Sequence, residues 1–97
     1  MRTIIETPTF QRQADGLWSA DERLAFFVWL AVNPEAGEVI PGAGGARKVR
    51  WSLPGTGKRG GARVIYFNEA ENGTLLLVMM YAKGQRENVS SGDIKRA

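Results

Sequence analysis

The spacing of apolar residues along this 97-residue chain changes character near residue 46. Thr3 to Glu6 (TIIE) predicts a short opening strand. Thr7 then precedes Pro8, whose fixed φ suits the first turn of a helix, and Gly16 supplies a stop, so a helix is expected over about Pro8 to Asp15 with Phe10 on its apolar face. A second helix is marked more strongly. Ser19 followed by Glu22 is a capping-box pair, and Leu24, Phe27, Val28, Leu30 and Ala31 recur at helical spacing up to Asn33-Pro34, where the residue before proline leaves the helical region. The two helices form a hairpin joined at GLWS. After the linker EAGEVIPGAGG the period becomes two: ARKVRW alternates, with Val49 and Trp51 on one face and Lys48 and Arg50 on the other. A glycine-rich loop, SLPGTGKRGG, leads to the strand ARVIYFNE, and Asn72-Gly73 signals a hairpin turn into the strand TLLLVMMYAK. That last strand is apolar on both faces, which places it inside the sheet rather than at an edge. Ser90 with Asp93 can start a short C-terminal helix. The expected fold is α+β, a single domain over residues 1–97: an N-terminal strand and a helical hairpin packed on one face of a mainly antiparallel sheet.

Composition adds exclusions. With neither cysteine nor histidine, the chain can form no disulfide and lacks the usual zinc and copper ligands, so no metal site and no cofactor are expected. The cysteine-free composition agrees with a reducing cytoplasm. The longest apolar runs, LAFFVWLAV and LLLVMMYA, are about half the length of a membrane span, and the first residues lack a signal-peptide pattern. A cytoplasmic domain with no membrane partner is expected.

Charge changes the picture more. Between Glu38 and Glu69, thirty residues carry six cations and no anion: Arg47, Lys48, Arg50, Lys58, Arg59 and Arg63. Residues 1–38 carry six acids against three bases, and residues 69–97 carry four of each, so the net charge of +3 originates in that one stretch. Like charges repel, and gathering them on adjacent strands implies an anionic partner, most simply the phosphates of a nucleic acid. Gly55, Gly57 and Gly60 match G-x-G-x-x-G, but a dinucleotide fingerprint leads from strand to helix, and here a strand follows. A Walker loop is excluded as well, because Ser52 stands where its first glycine belongs and Arg59 follows Lys58. The loop is better explained as a basic flap whose glycines let the backbone approach phosphates. Arg63 is expected within reach of Lys48 and Arg50, with Tyr81 and Lys83 sharing an exposed tip of the last strand and Arg86 just outside. Trp18, Trp29, Trp51, Phe26, Phe27, Met79 and Met80 are expected to pack in the core.

With these residues in view, GAGGARKVRWSLPGTGKRGGARVIYF, followed by an apolar strand ending YAKGQ, resembles the RelE/HigB branch of the RelE/ParE superfamily of bacterial toxins. The likeness covers about residues 40 to 90, and the helical hairpin in layout. It implies a RelE-like fold, akin to small microbial ribonucleases, and a metal-independent endoribonuclease (an mRNA interferase) that cuts messages during translation. The ribose 2′-hydroxyl would attack the adjacent phosphorus, leaving a 2′,3′-cyclic phosphate and a 5′-hydroxyl. By that resemblance the catalytic set is Arg50, Arg63, Tyr81 and Lys83, with Lys83 or Tyr81 assisting deprotonation and the two arginines holding the phosphate oxygens. Arg47, Lys48, Lys58, Arg59 and Arg86 would grip RNA or the ribosome. The implied partners are the ribosome with its mRNA and a cognate antitoxin of helix-turn-helix type, through which the complex would bind operator DNA. Two departures from the family pattern stand out: no tyrosine follows Lys83, and the C-terminal helix is short. Two other functions fit the same strands, a ParE-like inhibitor of DNA gyrase and a nucleic-acid-binding module without catalysis.

Overall fold

The computed structural model describes residues 2–51, 61–82 and 91–97. The order is β1 (Thr3–Glu6), α1 (Pro8–Leu17), α2 (Ala20–Val32), β2 (Glu38–Val39), β3 (Arg47–Trp51), β4 (Ala62–Glu69), β5 (Thr74–Ala82) and α3 (Ser91–Arg96), with a 3-10 turn over Ala70–Asn72. The strands form one sheet in the order β1-β5-β4-β3-β2. Every pairing is antiparallel except β1 on β5, which is parallel. The expected α+β architecture is the observed one, and β5 lies inside the sheet between β1 and β4 as its two apolar faces require.

Local chemistry accounts for the helix starts. Thr7 Oγ1 accepts from the Phe10 amide, with Pro8 in the first turn of α1. At α2 the capping box is complete: Ser19 Oγ accepts from Glu22 N, and Glu22 Oε1 accepts from Ser19 N. α1 does not stop at Gly16. It runs to Leu17 because Trp18, whose amide donates to Ala14 O, is buried beside Phe10 and Phe26. Arg23 clips the N-terminal elements together, its Nη1 donating to Asp15 of α1 at 2.8 Å and its Nε to Glu6 of β1 at 3.0 Å.

One core lies between the helical hairpin and the sheet, formed by Phe10, Phe26, Leu30, Val49, Val64, Tyr66, Leu75, Leu77 and Met80 with Trp18 and others. A second lies on the opposite face, where Ile94 of α3 and Ala43 and Ala46 cover Ile65, Val78, Met79 and Tyr81. β5 feeds both through a bulge. Ile65 pairs with Met79 and Tyr66 with Leu77, so Val78 is skipped and the alternation of β5 is rephased. The helix side satisfies the irregular strand: Thr7 N donates to Leu77 O, Thr7 Oγ1 to Val78 O at 2.6 Å, and Met80 N to Gln13 Oε1.

Three expectations need correction. The apolar spacing of the second helix ran through Leu24, Phe27, Val28, Leu30 and Ala31; Leu30 and Ala31 are buried with Phe26 and Phe27 packs against the core, but Leu24 and Val28 are exposed. The stretch taken as a linker contains β2, a two-residue strand folded back on β3 by a turn whose Gly42, Gly44 and Gly45 have φ of 71°, 67° and 97°. Asn72-Gly73 does not form a two-residue hairpin turn; a 3-10 turn ends there, with Gly73 at φ 65°.

Candidate functional site

The strand register builds the site. Arg50 of β3 stands opposite Arg63 of β4, and Arg63 stands opposite Tyr81 of β5, so the three share one face and form a row across the sheet. Lys48, two residues before Arg50, lies on the same face and stands opposite Glu38 of β2. This face is turned away from α1 and α2, because the flanking Val49 and Val64 belong to the core beneath the helices. Lys48, Arg50, Arg63 and Glu38, together with Trp29 and Ala36, line a cleft of about 590 Å³ beside β3.

Two features of the row are energetically unfavourable by themselves. Like charges directly opposite on neighbouring strands destabilise a sheet, and Arg50 faces Arg63. Among the described residues neither arginine, nor Lys48, forms an ion pair. Arg63 Nη1 is also buried, with no hydrogen-bond partner among the described residues. Arg50 and Arg63 both line the cleft, and the forked donors of two guanidiniums suit a phosphate.

Arg47 does not join this group. Its parity with Val49 turns it to the other side of β3, where Nη1 donates to Gly37 O at 2.8 Å and to Glu35 O at 3.4 Å. Tyr66 anchors the same loop: its hydroxyl donates to Pro34 O and accepts from Gly37 N, both at 2.9 Å. Gly37 is required there, since a Cβ would lie 2.9 Å from the Tyr66 ring and 3.0 Å from Lys48 O. The loop that walls the cleft is thus held by a buried phenol and an arginine.

Burial pushes the Tyr66 phenol above its usual value, against the lowering effects of the Gly37 hydrogen bond and Arg47. A raised phenol stays protonated in the folded chain while the unfolded chain ionises. Its contribution to stability is therefore complete below the unfolded value of about 10 and is lost as pH climbs from there through the folded one. Tyr66→Phe is expected to cost about 1–2 kcal/mol at pH 8, because the Gly37 amide loses its partner, and to flatten the alkaline decline. Urea unfolding of both forms between pH 8 and 11 checks this; parallel declines would remove Tyr66 as the cause.

Tyr81 was expected at an exposed tip. It is instead 4 % exposed, within the core cluster that includes Ile65, Met79 and Ile94 of α3. Lys58, Arg59, Lys83 and Arg86 lie outside the described residues. Glu38 is the cleft residue that the sequence did not single out. Its signal is the short EVI run ahead of the Pro41-Gly42 turn, within the stretch expected as linker.

No family model matches the chain. Among solved structures, it is similar to a mutant form of the E. coli toxin RelE in the free state, with TM-score 0.67 and 18% identity over 98% of this chain and 96% of that one. It is also similar to the toxin–antitoxin complex RelBE2 from Mycobacterium tuberculosis, with TM-score 0.62 and 19% identity over 84% and 98% of the two chains. The intact E. coli RelBE complex gives TM-score 0.63 and 17% identity over 89% and 100%. The chain has a RelE-type fold. In this RelE-type fold the cationic row spans β3 and β4, and Tyr81 continues it onto β5. None of the described helices is long and apolar enough to cross a membrane.

Proposed function

We propose that this chain is the toxin of a type II toxin–antitoxin system, an endoribonuclease that cleaves mRNA on the translating ribosome. The observation that carries the reading is the opposed Arg50–Arg63 pair at the cleft, neither of which forms an ion pair among the described residues. Such a pair costs stability in the free chain and is offset when a phosphate is bound. The RelE-type fold and its occurrence in RelBE toxin–antitoxin complexes support the same reading.

In the proposed reaction the ribose 2′-oxygen attacks phosphorus as its proton leaves, and the P–O5′ bond breaks to give a 2′,3′-cyclic phosphate and a 5′-hydroxyl. Arg50 and Arg63 hold the non-bridging oxygens as negative charge accumulates. Lys83 or Tyr81 assists deprotonation of the 2′-hydroxyl, and Glu38, opposite Lys48 on the cleft face, adds a carboxylate able to take the same proton. Lys48, and with it Lys58, Arg59 and Arg86, would hold RNA phosphates. The setting is the cytoplasm, where a cognate antitoxin neutralises the toxin and links the complex to operator DNA.

The test is induction in growing bacteria, with and without an inhibitor that keeps ribosomes off the message, followed by mapping of RNA 5′ ends. Discrete new ends within coding regions, absent when initiation is blocked, are expected. A chain that only binds nucleic acid would produce no new ends, and a gyrase inhibitor would alter plasmid supercoiling instead. Ends that persist without ribosomes would remove translation from the mechanism.

A further inference from the structure

α2 should not face water as it does. From Leu24 to Val32 the helix holds no polar side chain, yet Leu24, Val28 and Val32 are 61%, 51% and 65% exposed. Spaced by four, they stack into one stripe with exposed Ala25 between them. A surface helix ordinarily turns a polar face outward, and a helix apolar all round is a covered one. Single exposed apolar residues are normal, but a continuous stripe marks an interaction site. At its C-terminal end the stripe runs into a groove of about 380 Å³ bounded by Val32, Asn33, Pro34 and Glu35.

Charge identifies the occupant. Exposed Asp21 stands at the start of the stripe and exposed Glu35 just past its end. The nearest cation on the helix, Arg23, is engaged by Glu6 and Asp15. A second copy docked by a two-fold axis brings these acidic ends together whether its α2 runs antiparallel, Asp21 against Glu35, or parallel, Asp21 against Asp21 and Glu35 against Glu35, which is repulsive. An anionic membrane surface is repelled by the same ends. An amphipathic helix with Lys or Arg beyond both ends of its apolar face is complementary throughout.

We propose that the outer face of α2 is the docking surface for such a basic-ended amphipathic helix, supplied by the neutralising partner. The identity of the partner rests on the toxin reading above; the surface and the chemistry of its occupant do not. The cleft touches α2 only at Trp29 and not at Leu24, Val28 or Val32, so this contact by itself anchors the partner without filling the cleft.

The experiment uses the full chain and, as probe, the product of the reading frame adjoining its own, co-expressed and then titrated against the purified chain. Leu24→Ser, Val28→Ser and Val32→Ser together are expected to leave the melting temperature and message cleavage unchanged and to weaken binding by roughly a hundredfold or more. Val28→Lys alone, which adds a repelling charge, is expected to weaken it in the same direction, and Asp21→Lys with Glu35→Lys to remove the salt dependence. Binding of the triple variant at parental strength overturns the proposal. So does sedimentation showing a parental dimer that the triple variant loses, since the occupant is then a second copy. If the parent cuts no message while the variants still lose binding, the surface stands and the toxin reading fails.

Discussion

Arg63→Ala is expected to slow cleavage of translated messages by roughly a hundredfold, a loss on the order of 3 kcal/mol of transition-state stabilisation. Arg63 is the middle member of its row, opposite Arg50 on one side and Tyr81 on the other, and among the described residues it forms no ion pair. The substitution leaves the hydrophobic clusters intact and removes a like-charge opposition. The melting temperature should therefore stay the same or rise slightly while the rate falls. That opposite movement separates a charge acting on the reacting phosphate from a structural arginine, whose loss would lower both. Lysine at the same position keeps the charge but not the fork, and should recover only part of the rate. Single-turnover cleavage beside a thermal melt decides the matter; an alanine variant that cuts at the parental rate would dissolve the proposed catalytic role.

Phe26→Ala is expected to cost about 3–5 kcal/mol of stability, the largest effect of any single truncation considered. Phe26 is fully buried and is the hub of the aromatic cluster, with ring centroids 5.0 Å from Trp18, 5.4 Å from Trp51, 6.2 Å from Trp29 and 6.4 Å from Phe27. A domain of this size has about 5–10 kcal/mol in total, so the variant would be marginal at 37 °C, with its urea midpoint lowered by roughly 2 M. The damage should reach the cleft, because Trp51 ends the strand that carries Arg50 and leans on both Phe26 and Trp29. Phe26→Leu, which refills most of the volume, should cost about 1 kcal/mol. Urea titrations of the two variants check the ordering; a loss below 1 kcal/mol for alanine would mean that the cluster closes over the gap.

Short-range signals were legible because their physics acts over a few residues. The Ser19–Glu22 capping box, the Thr7-Pro8 start, and the spans of β1 and β4 were all readable, as was the interior position of β5. The cationic row was half legible: alternation puts Lys48 and Arg50 on one face, and the same parity places Arg47 on the other. The orientation of α2 was not legible. A run without polar residues has no preferred side until the sheet supplies one, so the stripe of Leu24, Val28 and Val32 could not be told from the buried one. β2 was missed because a two-residue strand carries no period of its own and exists only through pairing with Arg47 and Lys48.

Residue order alone determined which elements form and where the positive charge accumulates, since caps, period and charge runs are properties of neighbours along the chain. Only the tertiary structure decided that Arg63 stands directly opposite Arg50, that Glu38 lines the same cleft, that Tyr81 is buried, and that one face of α2 stays open. Each of these depends on strand register or on packing between distant segments, and register couples residues that no local preference connects.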